Sequence, residues 1–319
     1  MNSKFKSNLF LIFTAMIWGF AFVAQQESAS TIGGITFNAV RYIIGAVSLV
    51  PVILIFERST LSKADALSYL KYGALCGFIL CVASNFQQYG IILMNSAGKS
   101  GFLTGLYTVL VPIISFVFLK KKSSANIWVG AGLAVVGLFL LCMPTGKSDV
   151  SPQQELLGIV LTLIGTVFWA LHILSIDRFA ATLKPITFSL SQFLFCSIFS
   201  FIGAGLFEIE SVPSLMLQIK ATALPLLYGG IMSVGIAYTC QVIGQRGANP
   251  TAAAIIMSTE SVFSAVGEAL FYGLIVNQPD YSGLSATELL GCAIMFGGIV
   301  VSQISFASFK RLFVCKKSG

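Results

Sequence analysis

The chain has 319 residues, of which 56% are hydrophobic and only 10% are charged, and its mean hydropathy is +0.89. This composition excludes a soluble globular protein and is typical of an integral membrane protein. The formal net charge of +7 does not indicate a nucleic-acid partner, because the basic residues lie in short segments between apolar stretches and form no basic stripe.

Apolar stretches of about 20 residues, the length that an α-helix needs to cross a bilayer, recur along the chain. Because lipid offers the backbone no hydrogen-bond partners, each stretch is predicted to be a helix, which makes the fold class an all-α integral membrane protein. The ten predicted spans are residues 8–26, 37–56, 71–93, 98–119, 125–143, 156–176, 185–207, 222–244, 249–275 and 285–307. The longest connections, Met143 to Glu155 and Glu208 to Ala221, are predicted to be surface loops.

The distribution of lysine and arginine predicts how these spans are oriented. With a cytoplasmic N-terminus, fifteen of the 19 basic residues fall on the cytoplasmic side, and only Lys99, Lys147 and Lys220 fall outside. The remaining basic residue, Arg41, lies inside the second span. Cytoplasmic loops carry such an excess of basic residues, and one missed or invented span would destroy the asymmetry. The sequence therefore predicts a multi-pass protein of the plasma (inner) membrane with both termini in the cytoplasm.

The two halves of the chain repeat one pattern of residues at a spacing of 151 positions. The matching pairs are Trp18 and Trp169, Phe37 and Phe188, and Arg41 and Gln192. Because each half holds five spans, an odd number, the second half enters the membrane inverted relative to the first. The sequence thus predicts two inverted five-helix repeats, residues 1–145 and 146–319. Such repeats are typical of secondary transporters, whose substrate site lies between the halves near the midplane.

Several motifs extend this pattern and occur in a characteristic order: Trp18-Gly19 with Phe22, Arg41, Pro112, and the stretch Glu260-Ser261-Val262-Phe263. Together with ten spans, they resemble the drug/metabolite transporter (DMT) superfamily, in particular its EamA-type ten-helix transporters. The last stretch is similar to the family's Glu-Pro-Val-Phe pattern, with serine in the place of proline. The acidic residues that often close the fourth and ninth spans in this family are replaced here by Lys120-Lys121-Lys122 and Ile275-Val276-Asn277.

The resemblance implies a secondary transporter that exports a small metabolite such as an amino acid by alternating access, with proton coupling as one hypothesis. No enzymatic activity, cofactor or metal is expected, because the chain has no nucleotide-binding lysine loop and no catalytic motif. The expected partners are a small-molecule substrate and the lipid bilayer, without nucleic acid, in a monomer or a homodimer. The alternative is a non-transporting membrane scaffold, a receptor or a lipid-binding protein, against which the inverted duplication argues.

Polar side chains inside apolar spans map a candidate site, because such residues are costly in lipid and face the protein interior or a wet cavity. The substrate-binding candidates are Arg41, Asn85, Gln88, Tyr107, Tyr238, Gln241 and Glu260, and the proton-coupling candidates are Glu260 and His172. The third span gathers Asn85, Gln88 and Tyr89 on one helical face, and the eighth gathers Tyr238, Gln241 and Gln245. These faces either line a shared cavity or bond neighbouring helices to each other.

The charged candidates each have a functional and a structural interpretation. Arg41 is a counter-charge for an anionic substrate, a partner of Glu27 or Glu260, or a side chain whose head reaches the outer interface. Glu260 lies near the midplane, where a carboxylate is costly unless it is paired or protonated. It therefore binds protons, holds a substrate ammonium group or bonds a neighbouring helix. His172, the single histidine, cannot build a metal site alone, and it carries a proton or makes a structural hydrogen bond.

Four further expectations concern the site and the spans around it. Trp18 and Trp169 are expected to pack the contact between the halves rather than to line the cavity. The site itself is expected on the third, fourth, eighth and ninth spans. Pro112 is expected to kink or loosen the fourth span, because proline removes a helical hydrogen bond. Of the seven cysteines, six lie inside predicted spans and are interpreted as small apolar residues.

Overall fold

The computed structural model describes residues 3–58, 63–120, 124–141, 150–276 and 285–303. Within these ranges the chain is almost entirely helical and contains no strand. Eight spans are long and apolar enough to cross a membrane, and two shorter apolar helices complete the set of ten. The predicted fold class, an all-α membrane protein of two inverted five-helix repeats, is confirmed. The predicted ends of the fifth and tenth spans, residues 142–143 and 304–307, lie outside the described residues.

The helices agree with the predicted spans in number and order. Spans 1 to 5 are Ser3–Ser28, Gly34–Phe56, Lys63–Met94, Ala97–Gly105 continued by Tyr107–Leu119, and Ala125–Leu141. Spans 6, 7 and 10 are Pro152–Phe179, Pro185–Phe207 and Ala286–Gln303. Span 8 consists of three consecutive segments, Ala223–Leu227, Tyr228–Tyr238 and Thr239–Gln245. Span 9 also has three segments, Pro250–Met257, Glu260–Leu270 and Phe271–Ile275. Spans 6, 7 and 9 begin at a proline, whose fixed φ suits the first helical position.

The two halves are interleaved through matching pairs of spans. Span 3 packs on spans 6 and 7, and its counterpart, span 8, packs on spans 1 and 2. Spans 2 and 7 pack on each other, and spans 5 and 10 do the same. Exchanging the two halves reproduces the same set of contacts. The fold therefore has the approximate twofold symmetry that inverted repeats require.

Two carboxylates that follow the ends of spans 2 and 7 hold these spans antiparallel. Glu208, just after span 7, accepts hydrogen bonds from the backbone N–H groups of Ile35 and Thr36 at the start of span 2, at 2.9 and 2.7 Å. Glu57, just after span 2, accepts from Ile186 N–H at 3.0 Å and from Thr187 N–H at 2.8 Å at the start of span 7. Helix N-termini favour anions because their first N–H groups are unpaired. Each span thus caps the other, at opposite ends of the molecule.

Glycines let spans 5 and 10 approach until backbones touch. A Cβ atom built on Gly137 would lie 2.6 Å from the carbonyl oxygen of Gly291, and one built on Gly130 would lie 2.6 Å from that of Gly298. In sequence these glycines match between the halves at a spacing of 161 positions, Gly130 with Gly291 and Gly137 with Gly298. Small residues at such positions permit the close helix contacts that hold membrane bundles together.

Spans 4 and 9 are interrupted, which the sequence analysis did not predict for span 9. Span 9 is broken at Ser258 and Thr259, between Pro250–Met257 and Glu260–Leu270. Span 4 is broken at Leu106, six residues before Pro112, which lies inside the second helical segment. The expected weak point of span 4 therefore lies earlier than the proline. The middle segment of span 8, Tyr228–Tyr238, is a wider π-helix, a form that occurs frequently at functional sites.

The prediction of a surface loop from Glu208 to Ala221 is wrong. Most of this connection forms a helix, Val212–Ala221, whose first turn is capped by Ser211 through a hydrogen bond from Ser214 N–H. None of its residues is buried, and its apolar side chains, such as Leu217, are exposed. A short helix with this exposure is typical of a segment lying along the membrane interface. The proline and serine taken as loop residues instead begin and cap a helix.

Candidate functional site

A cavity lies between the two halves and is lined by residues of both. Its wall takes residues from spans 1, 2, 3, 4, 6, 8 and 9, a wider set than the four predicted spans. The lining residues are Trp18, Ala21, Phe22, Gln25, Arg41, Gln87, Thr104, Tyr107, Trp169, Ile173, Ser233, Tyr238, Gln241 and Glu260. Five of the seven predicted substrate-binding candidates are among them: Arg41, Tyr107, Tyr238, Gln241 and Glu260.

Glu260 and Tyr107 meet where the two interrupted spans face each other. Each is the first residue of the second helical segment of its span, Glu260 in span 9 and Tyr107 in span 4. The Tyr107 hydroxyl donates a hydrogen bond of 3.0 Å to the Glu260 carboxylate. Glu260 is buried, with only 3% of its surface exposed. Ser261 joins the same two spans by donating to the Gly101 carbonyl at 2.8 Å. The carboxylate also lies at the N-terminus of a helical segment, where the dipole favours negative charge.

Arg41 enters the cavity as a buried cation. The residue is 2% exposed, and its guanidinium carbon lies 5.1 Å from the ring centroid of Tyr42 and 5.6 Å from that of Phe37. These distances are those of cation–π contacts. It makes no ion pair with a described carboxylate, since Glu260 bonds Tyr107 and Glu27 bonds Tyr272. Neither the predicted partnership with Glu27 or Glu260 nor the extension to the outer interface is therefore observed.

Aromatic rings from both halves form one side of the cavity. The Tyr238 ring lies 4.6 Å from Trp18 and 6.0 Å from Trp169, centroid to centroid, and the two tryptophans are 6.3 Å apart. The Trp18 indole N–H donates to the Ser233 carbonyl at 3.3 Å. The expectation that both tryptophans pack the contact between halves instead of lining the cavity is wrong, because the cavity lies on that contact and they do both.

Two predicted cavity residues of span 3, Asn85 and Gln88, do not line the cavity. Asn85 accepts a hydrogen bond from Asn38 at 2.7 Å and donates to Ser200 at 3.2 Å, which ties span 3 to spans 2 and 7. Gln88 donates to the Gln25 carbonyl at 3.2 Å. They are the helix-bonding residues that the alternative interpretation described.

The residue of span 3 that does face the cavity, Gln87, was missed by the sequence analysis. Its side-chain N–H₂ donates to Thr104, another missed lining residue, at 2.9 Å. The 151-residue spacing contained a signal for it, because it pairs Gln87 with the candidate Tyr238. In span 8, Gln245 was predicted to share one helical face with Tyr238 and Gln241, but it does not line the cavity as they do. Its side chain donates a hydrogen bond to the Ile173 carbonyl at 3.2 Å.

His172 lies one layer behind the cavity wall. It is fully buried, and its Nε2 is 2.9 Å from Oε1 of Gln192 in span 7. Its ring stands edge-on to the rings of Trp169 and Tyr238, which line the cavity. Within the described ranges no group of three histidine, cysteine, aspartate or glutamate side chains could hold a metal ion.

The cavity thus combines one cation, one carboxylate, amide groups and ring faces in a space closed by both halves. Such a site can bind a small molecule by charge, hydrogen bonding and stacking. Opposite charges on its wall, Arg41 and Glu260, are not paired with each other, so both remain available to a ligand.

Comparison with known proteins agrees with this arrangement. A family model described as "EamA-like transporter family" matches residues 5–143 and again residues 156–304. A protein named "Uncharacterized transporter YoaV" from Bacillus subtilis is 26% identical over 317 residues, covering 96% of this chain and 99% of its own. An "Uncharacterized transporter" from Archaeoglobus fulgidus is 25% identical over 281 residues, covering 87% of this chain and 82% of its own.

A solved structure, titled "Crystal structure of protein", shares the fold with a TM-score of 0.69. It covers 93% of this chain and 96% of its own at 18% identity, so the likeness bears on the fold alone. The expected similarity to the DMT superfamily is confirmed by the double family match. The protein is a multi-pass membrane transporter and not an enzyme, and the chain belongs to the EamA-like transporter family.

Proposed function

We propose that the protein moves a small zwitterionic metabolite, such as an amino acid, across the plasma membrane. The observation that carries the proposal is the cavity between the halves, whose lining includes both the guanidinium of Arg41 and the carboxylate of Glu260. An amino acid carries a carboxylate and an ammonium group. Each would meet a counter-charge there, and hydrogen bonds between charged groups are the strong ones.

The rest of the wall suits the side chain of such a substrate. The rings of Trp18, Trp169 and Tyr238 offer apolar faces, and Gln87 and Gln241 offer amide groups. Export is the direction that the family resemblance favours.

Alternating access would operate by rocking of the two repeats, residues 1–145 and 146–319, around this cavity. The interrupted spans 4 and 9 place Tyr107 and Glu260 where the halves meet, so movement of either span would change the surroundings of the carboxylate. Glu260 is therefore the proposed proton carrier. With both termini in the cytoplasm, an exporter coupled in this way would take protons inward as the substrate leaves.

Transport by purified protein in proteoliposomes tests the proposal. A panel of labelled amino acids should include at least one whose efflux is accelerated by a pH gradient that is acidic on the extracellular face. The Glu260→Gln variant retains an oxygen that can accept from Tyr107. It should lose the acceleration and still exchange substrate, but only at a higher substrate concentration because the ammonium group loses its counter-charge. The Arg41→Gln variant should bind the substrate roughly 10- to 100-fold more weakly, the equivalent of about 1.5–3 kcal/mol for a hydrogen-bonded charge.

Glu210→Gln serves as the matched control, because Glu210 is an exposed carboxylate outside the spans. This variant should transport the substrate normally in either direction. If Glu260→Gln keeps the full response to the pH gradient, the proton-carrier role is excluded. If Arg41→Gln binds zwitterions as tightly as the unmodified protein, the assigned substrate class is wrong.

A further inference from the structure

The cavity wall is built mostly from residues that are related by the internal repeat. At the spacing of 151 positions, Trp18 corresponds to Trp169, Phe22 to Ile173 and Gln87 to Tyr238, and all six line the cavity. Tyr107 and Glu260 also correspond, as the first residues after the interruptions of spans 4 and 9. These pairs lie around the approximate twofold axis of the molecule.

Other lining residues have no lining counterpart at this spacing: Gln25, Ser233 and Gln241 line the cavity, whereas Ile176, Val82 and Gly90 do not. Two further pairs of this kind involve Gln192 and His172. Arg41 lines the cavity, whereas its counterpart Gln192 does not, and Ala21 lines the cavity, whereas its counterpart His172 does not. Arg41 lies seven residues after the start of span 2, and Gln192 lies seven residues after the start of span 7, at the opposite end of the molecule. The cavity therefore includes Arg41, whereas the equivalent position at the other end, Gln192, is packed outside it, and we call this the closed end.

The closed end holds polar groups that are incompletely bonded. His172 and Gln192 are fully buried and share one contact of 2.9 Å. Nδ1 of His172 and Nε2 of Gln192 have no hydrogen-bond partner among the described residues. A buried polar group without a hydrogen-bond partner lowers stability by about 1–3 kcal/mol. Burial of these two atoms is therefore unfavourable in the present arrangement. His172 contacts the rings of Trp169 and Tyr238, which line the cavity.

In transporters with inverted repeats, rocking one repeat against the other opens the central site alternately to the two sides. Residues related by the repeat then exchange surroundings. We propose that Gln192 and His172 line the substrate cavity in the opposite-facing state, and that Arg41 is packed away in that state as Gln192 is packed here. The binding surface would thus be cationic in one state, and in the other it would present the amide of Gln192 and the imidazole of His172. This inference rests on the proposed transport function.

Cysteine labelling from each side of the membrane tests this exchange. Arg41→Cys and Gln192→Cys form a matched pair, because the two positions are related by the repeat. A membrane-impermeant thiol reagent should label Arg41→Cys from the face at which span 2 begins. It should label Gln192→Cys from the opposite face, at which span 7 begins. Peptide mapping by mass spectrometry separates the label from that on the seven native cysteines.

Ser189→Cys is the control, since Ser189 is as buried as Gln192, lies one turn earlier in span 7, and has a counterpart, Asn38, that does not line the cavity. Its labelling should be at least tenfold slower than that of Gln192→Cys. A second probe needs no substitution, because His172 is the single histidine: diethylpyrocarbonate should modify it in the unmodified protein in proteoliposomes.

Equal labelling of Gln192→Cys and Ser189→Cys, together with an unmodified His172, would overturn the inference even if the vesicles transport amino acids. Sided labelling of Gln192→Cys in vesicles that move no zwitterion would support the exchange of surroundings and reject only the proposed substrate. The two failures are therefore distinguishable.

Discussion

The helix-capping carboxylates Glu57 and Glu208 form one group, and they differ from Glu260 in how completely they are hydrogen-bonded. Glu208 accepts from two backbone N–H groups, from the Thr36 hydroxyl and from the Tyr89 hydroxyl. Glu260, by contrast, accepts only from Tyr107 among the described residues, although it is more deeply buried. A carboxylate can accept about four hydrogen bonds. The first group is saturated and structural, whereas Glu260 retains capacity for a proton or a ligand.

The structural role of the saturated group can be tested with Glu208→Gln and Glu57→Gln. Each substitution removes the negative charge and turns an N–H₂ group toward backbone donors, so each should lower the free energy of unfolding by roughly 2 kcal/mol. The measurement is thermal unfolding of the purified protein in detergent. The exposed Glu210→Gln variant should unfold like the unmodified protein, and an equally small effect of Glu208→Gln would contradict the capping role.

At the scale of elements, the helices that pair across the two halves are continuous, whereas three of the seven helices that line the cavity are interrupted or change form. Spans 2 and 7 are unbroken and capped by each other, and spans 5 and 10 cross at paired glycines. Spans 4 and 9 are broken beside the cavity, and span 8 changes to a π-helix there. Interruptions free backbone groups that are tolerated in a membrane protein only where protein or a wet cavity surrounds them.

The crossing of spans 5 and 10 provides a prediction with an internal control. In Gly137→Ala the new Cβ would lie 2.6 Å from the Gly291 carbonyl oxygen and 2.8 Å from the Met295 nitrogen, so the helices must separate. Such overpacking should lower the unfolding free energy by about 1–3 kcal/mol. Gly132→Ala, on the same helix, has no atom within 4 Å of its new Cβ and should be neutral or slightly stabilising. Thermal unfolding of both variants distinguishes packing from helix propensity.

At the scale of the whole molecule, the orientation in the membrane follows from charge rather than from packing. Fifteen of the 19 basic residues fall on one side of the ten spans, which predicts cytoplasmic termini. A fluorescent protein fused to the C-terminus should therefore fluoresce, and alkaline phosphatase fused there should be inactive. Phosphatase fused after Lys147, on the predicted outer side, should be active. Active phosphatase at the C-terminus would reverse the assigned orientation and the sides of both proposed states.

The sequence by itself determined the membrane class, the ten spans, their inverted repetition and the family resemblance. Each depends on composition or on order along the chain, because span length is set by bilayer thickness and inversion by an odd number of spans. It also predicted five of the residues that line the cavity, because a polar residue deep inside an apolar span needs a polar environment. These residues are Arg41, Tyr107, Tyr238, Gln241 and Glu260.

Only the tertiary structure decided which polar residues of a span reach the cavity. Gln87 and Gln88 are adjacent in sequence, yet about 100° of helical rotation separates them, so one lines the cavity and the other bonds span 1. That rotation is set by packing against spans 6 and 7, through contacts distant in sequence. The same reason explains why Arg41 is in the cavity and Gln192 is behind it. Equivalent positions in the two halves have different surroundings once the halves adopt one arrangement relative to each other.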